Sequence, residues 1–272
     1  MYNWDPKLYS SNSSAQKDWG LALLAKLHLK GNEKVLDVGC GDGKLSAEIA
    51  KNLPEGSVLG IDLSEAMIAF ARNHYPPEKF PNLAFIQRGA NELTFDSEFD
   101  RVFSNAAFHW MKDHGHILKN LRKSLKPGGT LLAQAGGRGN AAEIFKIVDL
   151  MIENKKWSPY FRDFVFPFGF YGSEEYGEWL ENAGFSVKRL ELNPKDMALE
   201  GKKGLSEWMT ASILHPYTQR IPQSMRENFM NELVNTFVET NPLDDKGRVH
   251  VRMIRLEIEA YSEKRTCKVK DN

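Results

Sequence analysis

The chain has 272 residues, enough to bury a core as one large domain or as one domain with a cap. Its 42% apolar and 26% charged content is that of an ordinary soluble globular protein, and 36 basic residues balance 36 acidic ones, so no net field draws it to nucleic acid or membrane. Cys40 and Cys267 lie near opposite ends outside any metal-ligand pair, and no apolar run reaches the ~18 residues of a membrane span, so a reducing, cytoplasmic setting without metal is expected.

Residues 1–30 are expected to form an N-terminal lid or helix. From there to residue 136, short apolar runs alternate with helical patterns. The runs "KVLDVGC" (34–40), "SVLGIDL" (57–63), "LAFIQRG" (83–89), "FDRVFSN" (99–105) and "GTLLAQAG" (129–136) are bounded by turn formers and read as strands. Between them, "KLSAEIAKNL", "SEAMIAFARNHY" and "HGHILKNLRKSLK" carry apolar residues at helical spacing. Ser64 is placed to cap the second of these, and "KPGG" (126–129) to end the third. Five such alternations imply an α/β fold with a mostly parallel sheet covered by helices on both faces.

Residues 137–272 are less regular. Helices are expected at 141–157, 173–184 and 221–240, the last with Pro222 near its first turn and Met225, Phe229, Leu233 and Phe237 on one stripe. The aromatic stretch 158–172 is too broken by Pro and Gly for one regular element. Strands are expected at 185–192 and 248–263; the second shifts phase at Met253–Ile254, which predicts a bulge. The tail "KRTCKVKDN" reads as disordered. These segments are expected to supply an α-helical cap plus the last two strands of the sheet, folded as one domain with the core at 31–136.

"VLDVGCGDG" follows a strand and opens a helix, a setting in which glycines bring backbone close to a ligand. The spacing is Gly39, Gly41, Gly43, and Lys44 stands where the dinucleotide fingerprint needs a further glycine. The next strand ends in Asp62, placed to accept from the two hydroxyls of a ribose.

With "GIDLSEAMI" and "LKPGGTLL" following in order, residues ~30–136 resemble the class I S-adenosylmethionine-dependent methyltransferases, whose fold is a Rossmann-like seven-stranded sheet. The resemblance implies S-adenosylmethionine as cofactor and S-adenosylhomocysteine as product. It implies that Asp37, Gly39, Cys40 and Gly41 line the methionine part, that Asp62 holds the ribose, and that Leu63 and Met67 pack on the adenine. Asn105 would end the fourth strand beside the methyl group. The family has an acidic residue after the third strand, where this chain has Gly89; Asn91 or the backbone at Ala90 would substitute.

"WDPKLYSSNSSAQKDWGLALL" and "NAAFHWMKDH" resemble the trans-aconitate and juvenile-hormone-acid carboxyl methyltransferases. That likeness implies a small-molecule carboxylic acid as acceptor, with Gln16 and Trp110 gripping the carboxylate; Tyr9 and Trp4 are candidates to lid the cofactor, and read equally as residues that only pin the N-terminus. A carboxylate is ionised at neutral pH, so it needs orientation and desolvation rather than a base. Three alternatives stand beside this: His109 as base for a hydroxyl, amine or carbon acceptor, Trp110 and Met67 as core packing, and a non-catalytic S-adenosylmethionine-binding protein. Arg138, His215, Tyr217 and Arg220 are candidates for a second acidic group of the substrate, and read equally as ordinary cap residues. The oligomeric state is left open.

Overall fold

The computed structural model describes Pro6 and residues 14–263, with side chains from Asp18 onward. Helix α1 (Ser14–Leu24) precedes β1 (Lys34–Val38), α2 (Lys44–Lys51), β2 (Ser57–Asp62), α3 (Glu65–His74), β3 (Leu83–Gln87) and β4 (Phe99–Asn105). Then come α4 (His114–Ser124), β5 (Leu125–Gly136), α5 (Ala142–Glu153), α6 (Ser173–Asn182) and β6 (Phe185–Leu199). Helices α7 (Gly201–Ala211), α8 (His215–Thr218) and α9 (Gln223–Thr240) and strand β7 (Val249–Ser262) complete the described chain. The strands form one sheet in the order β3-β2-β1-β4-β5-β7-β6, with β7 antiparallel to both neighbours. The order reverses between β1 and β4, and the crevice outside their C-terminal ends is where such sheets bind ligands.

Leu23 of α1, Ala47 and Ile49 of α2 and Ile68 of α3 pack on one face of the sheet. Ile117, Leu118 and Leu121 of α4 and Tyr176 and Leu180 of α6 cover the other. A third cluster is the cap. There Phe145 and Val148 of α5, Trp208 of α7, Tyr217 of α8 and Phe229, Leu233 and Phe237 of α9 close over Val249, Val251 and Met253 of β7.

The first four strands and the Ser64 cap match expectation; the Ser64 hydroxyl accepts from the Met67 N–H at 3.3 Å. Three details differ, each for a physical reason. Strand β5 starts at Leu125 because "KPGG" lies within a register shift: Phe99 pairs with Leu125 but Arg101 with Thr130. Strand β6 runs on to Leu199 through Pro194, which an edge strand tolerates because it needs no further donor there. Pro222 stands at the N-cap of α9, next to its first turn, as expected.

The expected bulge at Met253–Ile254 is absent: β7 pairs without interruption there, and the irregularity lies in β6 between Val187 and Arg189. The phase change in β7 instead marks a change of cover. Val249, Val251 and Met253 face the cap core, whereas Arg255, Glu257 and Glu259 continue the same face as a buried charged row. Lys26 pairs with Glu257 at 2.6 Å, Arg189 bridges Glu257 and Glu259, and the Arg255 guanidinium sits 5.3 Å from the Trp19 ring centroid. The tail 264–272 lies outside the described residues.

Candidate functional site

The loop between β1 and α2 is shaped by backbone. The Gly39 and Cys40 N–H groups both donate to the Ile61 carbonyl, at 2.8 and 2.9 Å, tying the loop to the end of β2. Gly39 has φ +73°, and a Cβ there would lie 2.2 Å from the Ala107 Cβ, so no larger residue fits. Gly41 has φ +53°, and a Cβ there would meet nothing within 4 Å. Its edge is open for a ligand to approach. The Asp62 carboxylate takes the Gly41 N–H at 3.0 Å on one oxygen and the Ser64 N–H at 2.8 Å on the other. These bonds fix the carboxylate while each oxygen keeps acceptor capacity. Burial raises the Asp62 pKa, opposed by the amides of Ser64, Gly41 and Leu63.

This loop opens on a cavity of about 550 Å³ at the C-terminal ends of β1, β2 and β4. The lining includes Gly39, Gly41, Asp62, Leu63, Met67, Ala90, Asn91, Asn105 and Trp110. Two expected residues stand behind the wall. Asp37 points towards α2, where the Ser46 hydroxyl donates to it at 2.5 Å; burial pushes its carboxyl up to about 7, the Ser46 bond opposing and the nearby Asp62 charge adding. Cys40 is buried against β2, its Sγ 3.0 Å from where a Gly60 Cβ would lie. Tyr9 and Trp4 fall outside the described residues. The backbone of Gln16 lies in α1 one turn before Gly20, where the helix rests directly on the end of β4: a Cβ on Gly20 would be 3.0 Å from the Asn105 side-chain nitrogen.

Gly89 also lies on the lining, and a Cβ there would come 2.5 Å from the Asn91 Oδ1. The Asn91 amide oxygen therefore sits where a side chain on residue 89 would begin. Arg88, Lys112 and His116 line the cavity as well and were not foreseen. Arg88 and Lys112 come from loop ends, where no periodic pattern marks a residue as facing inward, and His116 from the first turn of α4. The His116 Nε2 lies 3.2 Å from the Asn91 carbonyl, which puts this imidazole at the Asn91 end of the cavity.

At the other end, residues 106–113 leave β4 and turn through the short 3₁₀ helix Phe108–Trp110. Trp110 is half-buried and packs on Phe168, ring centroids 4.5 Å apart. His109 is buried behind it and off the lining. The Gly136 N–H donates to its Nδ1 at 3.2 Å, so the neutral ring carries its proton on Nε2. Burial, with Arg255 and His114 nearby, holds this imidazole well below its usual pKa. The second-acid candidates do not reach the cavity. Arg138 pairs with Glu174 and Glu175, His215 contacts Gln219, Tyr217 is in the cap core, and Arg220 lies over the Phe164 ring.

These residues suit S-adenosylmethionine: an open glycine edge for the methionine part, a fixed carboxylate for ribose hydroxyls, and Leu63 and Met67 beside the Asn91 amide for adenine. Among the described residues, no helix is long and apolar enough to cross a membrane.

Comparison with known proteins agrees. The family model described as "Methyltransferase domain" matches residues 29–184. The chain is 26% identical to a trans-aconitate 2-methyltransferase of Shigella flexneri, over 96% of this chain and 98% of that protein. It is 29% identical to a trans-aconitate 2-methyltransferase of Deinococcus radiodurans, over 84% and 87% respectively. The structure of a putative methyltransferase from Bacillus halodurans superposes with a TM-score of 0.63 at 18% identity, covering 90% of this chain and 98% of that one. The fold is thus the Rossmann-like one expected.

Proposed function

Since the chain belongs to the methyltransferase-domain family and is an S-adenosylmethionine-dependent methyltransferase, we propose that it esterifies a carboxylate oxygen of a small organic acid without a general base. When bound, S-adenosylmethionine supplies an electrophilic methyl group on sulfur for the acceptor oxygen to displace. The observation that carries this reading is the state of His109. The imidazole nearest Trp110 is buried, neutral and off the cavity lining, with its Nδ1 lone pair taken by the Gly136 N–H. It has no free lone pair with which to remove an acceptor's proton.

A carboxylate needs none removed, since its pKa of ~4–4.5 leaves it ionised at neutral pH. The chain's task is then to orient it, and holding two partners in line supplies about 7–11 kcal/mol of barrier reduction. We assign the grip to the Trp110 indole N–H and the Gln16 amide. Both are uncharged donors, so they hold the acid without stabilising its charge as strongly as a guanidinium would. Arg88 and Lys112 on the lining favour the entry of an anion. Relatives named for trans-aconitate, a carboxylic acid, support the same substrate class.

The test is to replace each donor with a residue of similar bulk that cannot donate, Trp110→Phe and Gln16→Met. Each should lower kcat/KM for the acid about 10-fold, the worth of a hydrogen bond to a charged group, and leave the Kd of S-adenosylhomocysteine unchanged. Full activity in both variants would overturn the assignment.

A further inference from the structure

The segment that presents Trp110 begins and ends on non-glycine residues in the left-handed region, Ala106 at φ 56° and Asp113 at φ 54°. Backbone of this kind persists only where its surroundings hold it. Near its start, the Ala106 N–H donates to the Gln134 carbonyl at 2.7 Å, and the Gly169 N–H donates to the His109 carbonyl at 2.8 Å. Its far end is held by His114. The His114 Nε2 lies 3.1 Å from the Met111 carbonyl and its Nδ1 lies 2.7 Å from the Tyr176 hydroxyl. A carbonyl can only accept, so the ring proton is on Nε2 and Nδ1 accepts from Tyr176. The ring lies flat against Trp179, centroids 5.2 Å apart at 19°.

We infer that His114 is a positioning residue for the acceptor end of the cavity, carrying the placement of α6, through Tyr176, to the Met111 carbonyl and so to Trp110 beside it. This rests on the reading above that residues 106–113 face the acceptor. Met111 is itself on the cavity lining, so a shift of its carbonyl moves the wall directly. Gly169 is a second, independent sign that the space here is fully used. A Cβ on it would lie 3.1 Å from the His114 Nε2 and 2.7 Å from the Tyr171 ring. One glycine thus packs against His114 while its N–H holds the His109 carbonyl.

The titratable and charged groups around the His114 ring are Asp113 on its own loop, Tyr171 from the aromatic segment, Tyr176 on α6 and His109 across the turn. Burial outweighs the Met111 bond and the Asp113 charge and lowers the His114 pKa to about 4. The relay is therefore in its neutral, two-bond form at any pH near 7.

Three variants test this. His114→Leu removes both bonds. It should lower kcat/KM about 10- to 100-fold through acceptor KM and kcat, with the Kd of S-adenosylhomocysteine by calorimetry moving less than about twofold. His114→Gln can donate to Met111 and accept from Tyr176, and should restore kcat/KM to within about threefold of the parent. If His114→Leu does not fold, Tyr176→Phe stands in. It should cost about three- to 10-fold and move the acid-side fall in activity up by about one pH unit, because Nδ1 is freed to take a proton.

Equal losses in the Leu and Gln variants would overturn the inference. So would a Kd that rises in step with the loss of activity, or a Tyr176→Phe profile identical to the parent. Failure of the carboxylate reading looks different: the unmodified enzyme would form no methyl ester from any acid, whatever these variants do to its true acceptor.

Discussion

At the β1–β2 end of the cavity, the ligand-facing surface is mostly backbone. Gly39 and Gly41 turn at positive φ, amides donate to Ile61 and Asp62, and one carboxylate is fixed by two N–H groups. At the 106–113 end it includes the Trp110 side chain, held from behind by side chains off the lining. Trp110 is backed by Phe168, His109 is tied to Gly136, and His114 reaches across to Tyr176. Backbone geometry fixes a binding site for one invariant ligand, whereas packed side chains can be exchanged to suit different acceptors without disturbing it. The two ends should accordingly fail in different ways when mutated.

The largest effect is expected where backbone has no alternative. Gly39→Ala forces a Cβ to within 2.2 Å of Ala107 at φ +73°. It should weaken S-adenosylhomocysteine binding by about 100-fold or more in calorimetry while the circular dichroism spectrum stays that of a folded α/β protein. Binding within about threefold of the parent would show that the loop is more pliant than its contacts indicate. A smaller effect sharpens the same comparison. Asn91→Ala removes the acceptor that fills the place beside Gly89, and should weaken S-adenosylhomocysteine about two- to 10-fold. Asn91→Asp keeps an acceptor there and should stay near the parent. An analogue whose adenine lacks the exocyclic amino group should bind the parent and Asn91→Ala equally; if it still distinguishes them, Asn91 does not act through that amino group.

What the sequence made legible follows the same division. Alternating apolar runs gave the sheet and the helices packed on it, because periodicity reports which face is buried. Gly39, Gly41 and Asp62 were readable because a glycine at a strand-to-helix turn and an acid at the next strand end have local geometric reasons. Asp37 and Cys40 are expected beside the methionine part, and their side chains pack towards α2 and β2, a local detail that the motif itself does not carry. Arg88 and Lys112 were missed because they reach the cavity from irregular loop ends, and His116 because in the first turn of α4 it lies outside the helix's buried apolar stripe. The His114–Tyr176 bond joins residues 62 apart in sequence, and nothing in either neighbourhood announces the other. Likewise the charged row of β7 imitated a bulge, because an alternation pattern cannot distinguish a slipped register from a change in what covers the strand.

The measurement that bears most directly on the central claim is the pH dependence of kcat/KM for methyl-ester formation. S-adenosylhomocysteine release would be followed over a panel of carboxylic acids, with the ester identified by mass spectrometry. An ionised acceptor and a His109 that stays neutral, its pKa held well below 6.5 by burial, predict a methyl ester and a flat profile from about pH 6 to 9. Turnover only on a hydroxyl, amine or carbon acceptor, with activity falling below about pH 6.5 as an imidazole takes up its proton, would contradict it.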